Sequence, residues 1–310
     1  MRISVVTTLY QSAPYILEFH RRMTDTLRKH TDDFEGLYVN DGSPDQSLDI
    51  AVELSNVDES VSVIDLSRNF GHHKAAMTGL QHANGELVFL IDVDLEEEPE
   101  ILSTFIEEMD REDADVTYGV QHSRKGSFLE RFFGGLYYRM FNALSDVEIP
   151  CNLLMARLMS KRYVEALVEH KENLFDISGL WSLTGFKQVP VTVEKLSKLE
   201  TTYTFGKRTG LFIDGLVSFS NKPLIMIAVI GLSILMGAIF SITYYLVAYF
   251  YVGDVPDGFT TLALSIWFLG GLTIFLLGVI ALYLSVIFIE VKNRPYSIIR
   301  KIYNGKSKQL

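Results

Sequence analysis

Two long uncharged stretches in the last third of the sequence most constrain how this chain can fold. Residues 223–253 and 258–289 contain no Asp, Glu, Lys or Arg. A helix crosses a bilayer with about 20 apolar residues, so each stretch is long enough to span one. A core helix of a soluble protein keeps a polar stripe, whereas these stretches are apolar all round. The sequence therefore predicts two transmembrane helices, 223–252 and 259–289, joined by an external loop at 253–258.

The charges that flank the two stretches predict their orientation. Lys207, Arg208 and Lys222 precede the first stretch, and the six basic residues of 223–310 all lie at or after Lys292. The short loop between the stretches has no basic residue. Basic residues mark the cytoplasmic side of a membrane protein, so both flanks and both chain ends are expected in the cytoplasm. Residues 290–310 are predicted to form a basic cytoplasmic tail.

The rest of the chain is acidic, which excludes one class of partner. The sequence has 28 basic and 38 acidic residues and a formal net charge of −10. Residues 223–310 hold six basic and three acidic residues, which leaves 22 basic and 35 acidic residues in 1–222. A nucleic-acid-binding domain shows a basic surface, so no nucleic-acid partner is expected.

Residues 1–120 alternate between short apolar runs and amphipathic segments. The pattern predicts strands at 3–9, 34–39, 61–66, 87–91 and 115–120, and helices at 15–29, 48–54, 74–82 and 100–109. This alternation is typical of α/β proteins, in which a mostly parallel, Rossmann-like sheet has helices on both faces. We therefore expect one α/β domain over residues 1–205.

Two further segments have apolar residues at helical spacing. The first, at 127–145, is rich in Phe, Tyr and Leu and includes Arg131 and Arg139. The second, at 206–222, leads directly into the first uncharged stretch. Amphipathic helices of this kind lie in the membrane interface. Packing on the α/β domain is an equally good interpretation of 127–145, whereas we interpret 206–222 as a juxtamembrane helix.

Polar residues follow three of the predicted strands, and one pair of them is typical of a metal site. Asp92 and Asp94 come directly after the fourth predicted strand. In an extended segment, residues two apart point to the same side, so the two carboxylates can converge. Carboxylate oxygens suit Mg²⁺ or Mn²⁺ holding a diphosphate. Ligands of parallel sheets bind at the carboxyl ends of strands, where Asp41, Arg68 and Asn69 are also expected.

The motifs around these residues resemble those of family 2 glycosyltransferases with the GT-A fold. The similarity is greatest to the polyprenyl-phosphate branch, which includes dolichyl-phosphate mannose synthases and bactoprenol glucosyl transferases. The matching segments run in the family's order along nearly the whole chain. They are Asn40-Asp41-Gly42-Ser43, Leu66-Ser67-Arg68-Asn69-Phe70-Gly71-His72, Asp92-Val93-Asp94-Leu95, Tyr138-Arg139, Arg157-Leu158-Met159-Ser160, Gly185-Phe186 and Glu290-Val291-Lys292-Asn293-Arg294-Pro295.

The resemblance implies an enzyme of the bacterial plasma membrane with a cytoplasmic GT-A catalytic domain. Its donor would be a nucleotide-diphosphate sugar, and its acceptor a polyprenyl phosphate of the undecaprenyl or dolichyl type. The implied cofactor is Mg²⁺ or Mn²⁺. Such enzymes serve the biosynthesis of cell-envelope polysaccharides.

The resemblance also implies roles for individual residues. Asp41 would hydrogen-bond the nucleotide base, which Tyr10 would border, while Asp92 would contact the nucleotide and Asp94 would ligate the metal, with Asp92 as a second candidate ligand. The implied nucleotide-binding residues are Thr8, Tyr10, Asp41, Arg68, Asn69, Asp92 and Val93. The implied acceptor-phosphate residues are Arg124, Arg131, Arg139, Lys207 and Arg208, of which Arg131 and Arg139 are also catalytic candidates with Asp94.

A phosphate acceptor would simplify the chemistry. A phosphate monoester has a second pKa of about 6, so it is already a nucleophile at neutral pH. The enzyme would orient the reactants and neutralise the leaving diphosphate with a metal ion and cationic side chains. A single displacement would invert the anomeric centre.

A departure from the family keeps a second acceptor open. The family's Gly-Asp-Phe before Arg157 reads Leu154-Met155-Ala156 here, which removes a carboxylate from the region of the sugar or metal. The alternative is transfer to a sugar hydroxyl of a lipid-linked saccharide, which needs a general base. Asp176 is the candidate base, and a helix N-cap is an equally good interpretation of that residue.

Other classes of membrane protein fit the sequence less well. Intact Asp41, Asp92 and Asp94 argue against a non-catalytic scaffold, and the sequence has no Gln-x-x-Arg-Trp motif of processive polysaccharide synthases. Gly270-Gly271 in the second apolar stretch would let helix pairs pack together as a homo-oligomer.

Overall fold

The computed structural model describes residues 1–121, 153–172, 177–193, 222–252 and 258–304. Its strands are β1 Ile3–Leu9, β2 Phe34–Asn40, β3 Val61–Leu66, β4 Leu87–Leu90, β5 Val116–Gln121, β6 Leu153–Ser160, β7 Gln188–Val193 and β8 Ile299–Asn304. Its helices are α1 Ile16–Leu27, α2 Ser47–Val57, α3 His72–Gln81, α4 Ile101–Glu112, α5 Lys161–Val168, α6 Ile177–Leu183, α7 Lys222–Val252 and α8 Phe259–Val291.

The strands form one sheet in the order β7-β5-β6-β4-β1-β2-β3-β8. Its centre is parallel, with β1 paired to β2 on one side and to β4 on the other, and with β3 beyond β2. β1 is buried along its whole length, as expected for an apolar strand at the middle of such a sheet. The chain moves outward from β1 to β3 and then returns to the other side of β1 as β4. The switch in direction therefore lies between β1 and β4.

Helices cover both faces of the sheet, as predicted. On one face α1, α2 and α4 pack in a core that includes Phe19, Phe89 and Phe105, with the last two rings edge to face at 6.0 Å. On the other face α3, α5 and α6 pack in a core that includes Met77 and Trp181. Burying one large apolar side chain contributes about 1.5–3 kcal/mol, so these two cores hold the sheet and its helices together.

The elements predicted in residues 1–120 are confirmed, with β1 and β3 at the predicted bounds. Outside its parallel centre, however, the sheet is more mixed than predicted. β6 runs antiparallel to both β4 and β5, while β7 is parallel to β5. The fold is a mixed, Rossmann-like α/β sheet with eight strands, which is consistent with GT-A.

Strand β8 was not predicted, and it lies at the edge of the sheet beside β3. It pairs antiparallel with β3 although the two long helices separate them in sequence. The residues just before β8 also contact the α/β domain. Ser67 N donates to the Ile298 carbonyl at 2.9 Å, and the hydroxyls of Thr78 and Ser297 lie 2.7 Å apart. Part of the segment predicted as a basic tail is therefore an edge strand of the α/β sheet.

The two predicted apolar helices are present as α7 and α8, which contact each other. Many of their large apolar side chains are exposed. Within the described residues, Phe268–Val291 is long and apolar enough to cross a bilayer, with a mean hydropathy of 2.8 and none of the segment buried. A shorter apolar segment occupies Leu224–Ile234 of α7. That α7 also crosses the membrane stays a prediction.

Three predicted segments lie wholly or mainly outside the described residues. They are the amphipathic helix at 127–145, the juxtamembrane helix at 206–222 and the external loop at 253–258.

Candidate active site

The carboxyl ends of β1 to β4 gather most of the predicted donor and metal residues. These four strands are parallel, so their last residues lie at one edge of the sheet. Ligands of open α/β sheets bind at this edge, where the direction of winding switches. The switch here lies between the end of β1 and the end of β4. The residues that follow the four strands are Tyr10, Asp41, Arg68, Asn69, Asp92 and Asp94.

The loops after β2 and β3 are locked together at this edge. Asp41 is buried, and its carboxylate accepts hydrogen bonds from the backbone N–H groups of Phe70 at 2.7 Å and Gly71 at 3.0 Å. Gly42 has a φ of +60°, and a Cβ there would lie 2.5 Å from the Asn69 nitrogen, so the close approach of the loops requires glycine. Burial raises the pKa of Asp41, and the two N–H donors oppose that rise. Asp41 thus shapes the loop after β3, while its contact with a base stays a prediction.

Asp92 and Asp94 lie in a sharp turn after β4. Both are half-buried, and Val93 between them is buried in the core. The next residue, Leu95, has a φ of +60°, which is uncommon for a residue with a Cβ. Asp94 Oδ1 accepts the backbone N–H of Glu96 at 3.1 Å. Backbone strain of this kind costs about 1–3 kcal/mol and is concentrated at functional sites. The turn holds the Asp94 carboxylate in one direction.

His72, which was not among the predicted site residues, connects the ends of β1 and β4. Its Nδ1 lies 2.9 Å from Thr8 Oγ1, and its Nε2 lies 3.5 Å from Asp92 Oδ1. Thr8, a predicted nucleotide-binding residue, therefore contacts a histidine that in turn contacts a candidate metal ligand. One signal was present in the sequence, since His72 closes the motif that begins at Leu66 and is the first residue of α3.

Tyr10, Arg68 and Asn69 face outward from the same edge. All three are exposed, and the Arg68 guanidinium lies over the Phe70 ring, 4.1 Å from its centroid. Arg68 also donates to the Asn69 carbonyl at 3.0 Å. An exposed aromatic ring and an exposed cation at one edge of the sheet are suited to a base and a phosphate group respectively. Their contact with a nucleotide stays a prediction.

The pair Asp92 and Asp94 fits a divalent cation that also binds a substrate diphosphate. Among the residues that the structure describes, no group of three or more His, Cys, Asp or Glu side chains could hold a metal. Mg²⁺ does not need such a group, because it commonly binds one or two carboxylates and fills its other positions with water and substrate phosphates. The donor set is therefore typical of a metal that binds together with its nucleotide.

A buried glutamate ties the turn after β4 to β6. Glu97 Oε2 accepts the backbone N–H of Ala156 at 2.8 Å. Ala156 follows Met155, which replaces the aspartate that the family pattern has at this place. A carboxylate from another part of the chain thus reaches the backbone beside Met155, where it anchors the turn.

Strand β8 supports the same edge from its far side. Arg300 Nη1 lies 3.4 Å from Asp65 Oδ2, and Arg300 Nη2 donates to the Ser67 carbonyl at 2.6 Å. Asp65 is buried and also accepts a hydrogen bond of 2.8 Å from Asn40 Nδ2. Asn40 directly precedes Asp41. A chain of contacts therefore runs from β8 to the loops after β2 and β3.

The predicted acceptor residues, and the candidate base, lie in parts of the chain that the structure does not describe. Arg124, Arg131, Arg139, Asp176, Lys207 and Arg208 all lie outside the described residues. The placement of the arginines and lysine at the acceptor phosphate stays a prediction, as does the role of Asp176 as a base.

Comparisons with known proteins agree with the resemblance seen in the sequence. Residues 4–168 match the model of Glycosyl transferase family 2. A Mycobacterium tuberculosis protein described only as a glycosyltransferase is 47% identical over 98% of this chain and 89% of its own length. The uncharacterized glycosyltransferase YkcC of Bacillus subtilis is 33% identical over 100% of this chain and 97% of its own. The SfII prophage-derived bactoprenol glucosyl transferase of Shigella flexneri is 30% identical, with coverages of 98% and 99%.

Proposed function

The chain belongs to glycosyl transferase family 2 and is a glycosyltransferase, and we propose that it moves a sugar from a nucleotide-diphosphate sugar onto a polyprenyl phosphate at a membrane. One observation carries the proposal: four neighbouring parallel strands deliver an exposed ring, an exposed cation and two carboxylates to one edge, at the switch point of the sheet. These are the groups that a metal-bound nucleotide diphosphate requires.

The donor would lie across the ends of β1 to β4. Tyr10 would border the base, with Thr8 and Val93 beneath it, and Asp41 would hold the base while keeping the loop after β3 in place. Arg68 and Asn69 would then face the diphosphate. Two of these loops are already joined through Asp41, so little backbone ordering would be left for the donor to induce.

Asp94, with Asp92 beside it, would hold Mg²⁺ or Mn²⁺. When bound, the ion supplies positive charge that stabilises the departing nucleoside diphosphate. His72 would fix the direction of the Asp92 side chain through its contact with Oδ1, and Glu97 would anchor the turn that carries both aspartates.

The acceptor phosphate would need orientation more than activation. A phosphate monoester is largely dianionic at neutral pH, since its second pKa is about 6. It can attack the anomeric carbon on the face opposite the leaving diphosphate, so the product has the inverted configuration. No covalent nucleophile from the chain is required, and a general base such as Asp176 would be required only for a hydroxyl acceptor.

The similarity to a bactoprenol glucosyl transferase supports a lipid acceptor. That relative aligns over 98% of this chain, so the alignment includes both long helices as well as the sheet. The exposed apolar surface of α7 and α8 also supports residence in a bilayer.

The position of β8 supports a helix hairpin. β8 pairs with β3, so strands from before and after the two helices belong to one sheet and would lie on one side of a membrane. A chain that leaves and returns to one side crosses the bilayer an even number of times. If Phe268–Val291 crosses once, a second crossing is needed, and α7 is long enough to provide it. The basic flanks would place the sheet in the cytoplasm, at the plasma membrane.

A transfer assay on the full-length protein tests the proposal. The purified protein in detergent is given undecaprenyl phosphate, a panel of nucleotide sugars and Mg²⁺ or Mn²⁺, with and without a chelator. We expect one donor to be transferred onto the phosphate, and chelation to stop the transfer. Transfer only to a lipid-linked saccharide would replace this proposal by the hydroxyl-acceptor alternative, and full activity with the chelator would remove the metal from it.

A further inference from the structure

A cavity of about 240 Å³ lies between β5, β6 and α6, apart from the edge described above. Its described lining includes Tyr118, Arg157, Ser178, Trp181 and Ser182, and contains no Asp or Glu. The volume is smaller than the roughly 300–1,000 Å³ of pockets that hold whole drug-sized ligands. The cavity is therefore of a size to hold one chemical group of a larger substrate.

Two residues of the cavity lining, Arg157 and Trp181, carry buried N–H donors that have no acceptor within the described residues. Arg157 is 1% exposed, and its guanidinium lies over the Trp181 ring, 3.4 Å from the centroid. Within the part of the chain that the structure describes, Nε and Nη1 of Arg157 and Nε1 of Trp181 are buried and have no hydrogen-bond partner. No ion pair to Arg157 is present among those residues either. Within the described residues, three buried N–H groups on two stacked side chains are therefore left without an acceptor.

A buried guanidinium is costly when some of its N–H groups lack acceptors, as Nε and Nη1 of Arg157 do among the described residues, so its presence calls for a compensating ligand. Burial lowers the pKa of Arg157 to about 10, and the neighbouring Tyr163 and Tyr118 act in the opposite direction. The guanidinium therefore stays charged at neutral pH. Buried charges in proteins are normally paired, and an oxyanion is the partner that a planar guanidinium fork binds best.

The cavity lies beside the candidate metal pair. Arg157 pairs with Leu90 in the register of β6 against β4, and Asp92 follows Leu90 by two residues. Paired strands lie about 4.8 Å apart, so Arg157 is a direct neighbour of the last residue of β4, and Asp92 comes two residues after it. Asp92 contacts His72, the first residue of α3, and α3 packs on the same face of the sheet as Trp181. The cavity and the Asp92 carboxylate are thus on the same face.

We propose that the Arg157–Trp181 cavity binds the phosphate monoester of the acceptor lipid during sugar transfer. The inference rests on the proposed function, because that function requires a second phosphate close to the donor sugar. The donor's own diphosphate is assigned to the metal pair and the Arg68 loop. In the cavity, Arg157 binds phosphate oxygens through Nε and Nη1, and Trp181 Nε1 donates a third hydrogen bond. Arg157 and Trp181 position the nucleophile and take no proton from it.

A spectroscopic titration tests binding directly. The chain has two tryptophans, so W267F leaves Trp181 as the sole tryptophan of the full-length protein. Farnesyl phosphate is the probe, with farnesol and inorganic phosphate as matched probes. We expect a saturable change in Trp181 fluorescence with farnesyl phosphate and none with farnesol. Adding R157K to W267F should abolish the change, because lysine lacks the planar fork.

A second, milder variant, W181F, tests the proposal by steady-state kinetics. W181F keeps the ring over Arg157 and removes only the Nε1–H donor. Loss of one hydrogen bond to a charged group predicts a rise of about tenfold or more in the KM for undecaprenyl phosphate, with kcat and the donor KM little changed. R162K is the control, since Arg162 is exposed, pairs with Asp115 and has its guanidinium 6.0 Å from the ring centroid of Phe186 on the cavity wall. It should leave both KM values unchanged.

The outcomes separate this inference from the proposed function. Normal transfer to undecaprenyl phosphate, with an unchanged acceptor KM in W181F and no fluorescence response, overturns the cavity assignment and leaves the function standing. A raised donor KM in place of the acceptor KM overturns it as well, because the oxyanion then belongs to the donor. A response to inorganic phosphate alone overturns it in favour of a site for free phosphate. A saturable response to farnesyl phosphate without any transfer supports the cavity as a phosphate monoester site and rejects the function.

Discussion

The α/β sheet and the helix pair use their apolar residues in opposite ways. All seven residues of β1 are buried, and the apolar side chains on both faces of the sheet pack against helices of the same domain. In α8, by contrast, Ile274 is 72% exposed, and the segment from Phe268 to Val291 has no buried part. The apolar side chains of the sheet are buried within the α/β domain, whereas many of those of the helix pair are exposed and suit an apolar environment outside the protein. Among the described residues, β8 and the short segment before it join the sheet to the helix pair.

The largest expected effect comes from charging the surface of α8. Ile274→Asp with Leu277→Asp should make membrane insertion less favourable by about 5–7 kcal/mol, because each central Asp costs about 2.5–3.5 kcal/mol. The measurement is the fraction of protein that stays in membranes after alkaline extraction. Val57→Asp is the matched control, since Val57 at the end of α2 is 82% exposed on the α/β domain. Equal loss in the control would contradict the distinction between the two surfaces.

The second largest effect should be a loss of transfer activity, caused by a change in the sheet domain, without any change in membrane association. Asp94→Asn is expected to lower the transfer rate by about 10²–10³-fold or more, because a neutral amide binds Mg²⁺ or Mn²⁺ poorly and the diphosphate loses its counter-charge. Thermal unfolding and membrane extraction should not change. Asp25→Asn, at an exposed position of α1, controls for loss of surface charge. Undiminished transfer in Asp94→Asn would exclude this carboxylate as a metal ligand.

The junction between the two regions predicts a smaller effect. Arg300→Ala removes the contacts from β8 to Asp65 and to the Ser67 carbonyl and should cost about 1–2 kcal/mol of stability, since Arg300 is itself largely exposed. The donor KM should rise by a few-fold as the loop after β3 loosens. Lys301→Ala, one residue further along β8, should change neither quantity. If the two variants behave alike, β8 contributes only its backbone pairing.

The smallest effect is a pH dependence that belongs to the sheet alone. Partial burial raises the pKa of Asp45, but hydrogen bonds from Ser43, Ser47 and Ala13 outweigh it and lower that pKa from its ordinary 3.8 to about 2. A lowered carboxyl pKa stabilises the fold above about pH 4, and this contribution is lost as the pH falls toward 2. We expect about 1 kcal/mol, after allowing for solvent screening.

The check compares unfolding of the wild type and of Asp45→Asn between pH 6 and pH 2. The difference in stability should shrink across that range. Asp49→Asn, at an exposed site of α2, should show no such trend. A pH-independent difference for Asp45→Asn would mean that the carboxylate acts only through its shape.

Local patterns were enough to predict the first half of the fold. Each strand from β1 to β5 is a short apolar run bounded by turn residues, and each helix between them has apolar residues on one side, so neighbours in sequence are neighbours in space. The predicted ends of these strands also located Asp41, Asp92 and Asp94 at one edge of the sheet. The motif that ends at His72 was visible as well, yet only the distances showed that its imidazole lies between Thr8 and Asp92.

The remaining elements depend on contacts that no local pattern encodes. β8 contains Arg300 and Lys301, which make it polar in sequence, and its partner β3 precedes it by two long helices. β6 was missed because a buried arginine interrupts its apolar run, and that arginine is Arg157. A charged residue inside a strand weakens the strand signal, and here it marks the cavity. Arg157 is therefore both the reason why β6 was not predicted and the residue on which the proposed phosphate site depends.

The late place of β8 in the chain bears on how the protein is made. Synthesis proceeds from the N-terminus, so β1 to β7 leave the ribosome before α7 and α8, and β8 follows them. Until then the edge of β3 lacks its neighbour. In the proposed hairpin, a chain in which only one of the two helices crossed the bilayer would leave β8 on the opposite side of the membrane from β3. In that hairpin the sheet would be completed only in chains whose two helices had both inserted, so pairing of β8 with β3 would report the topology of the helices.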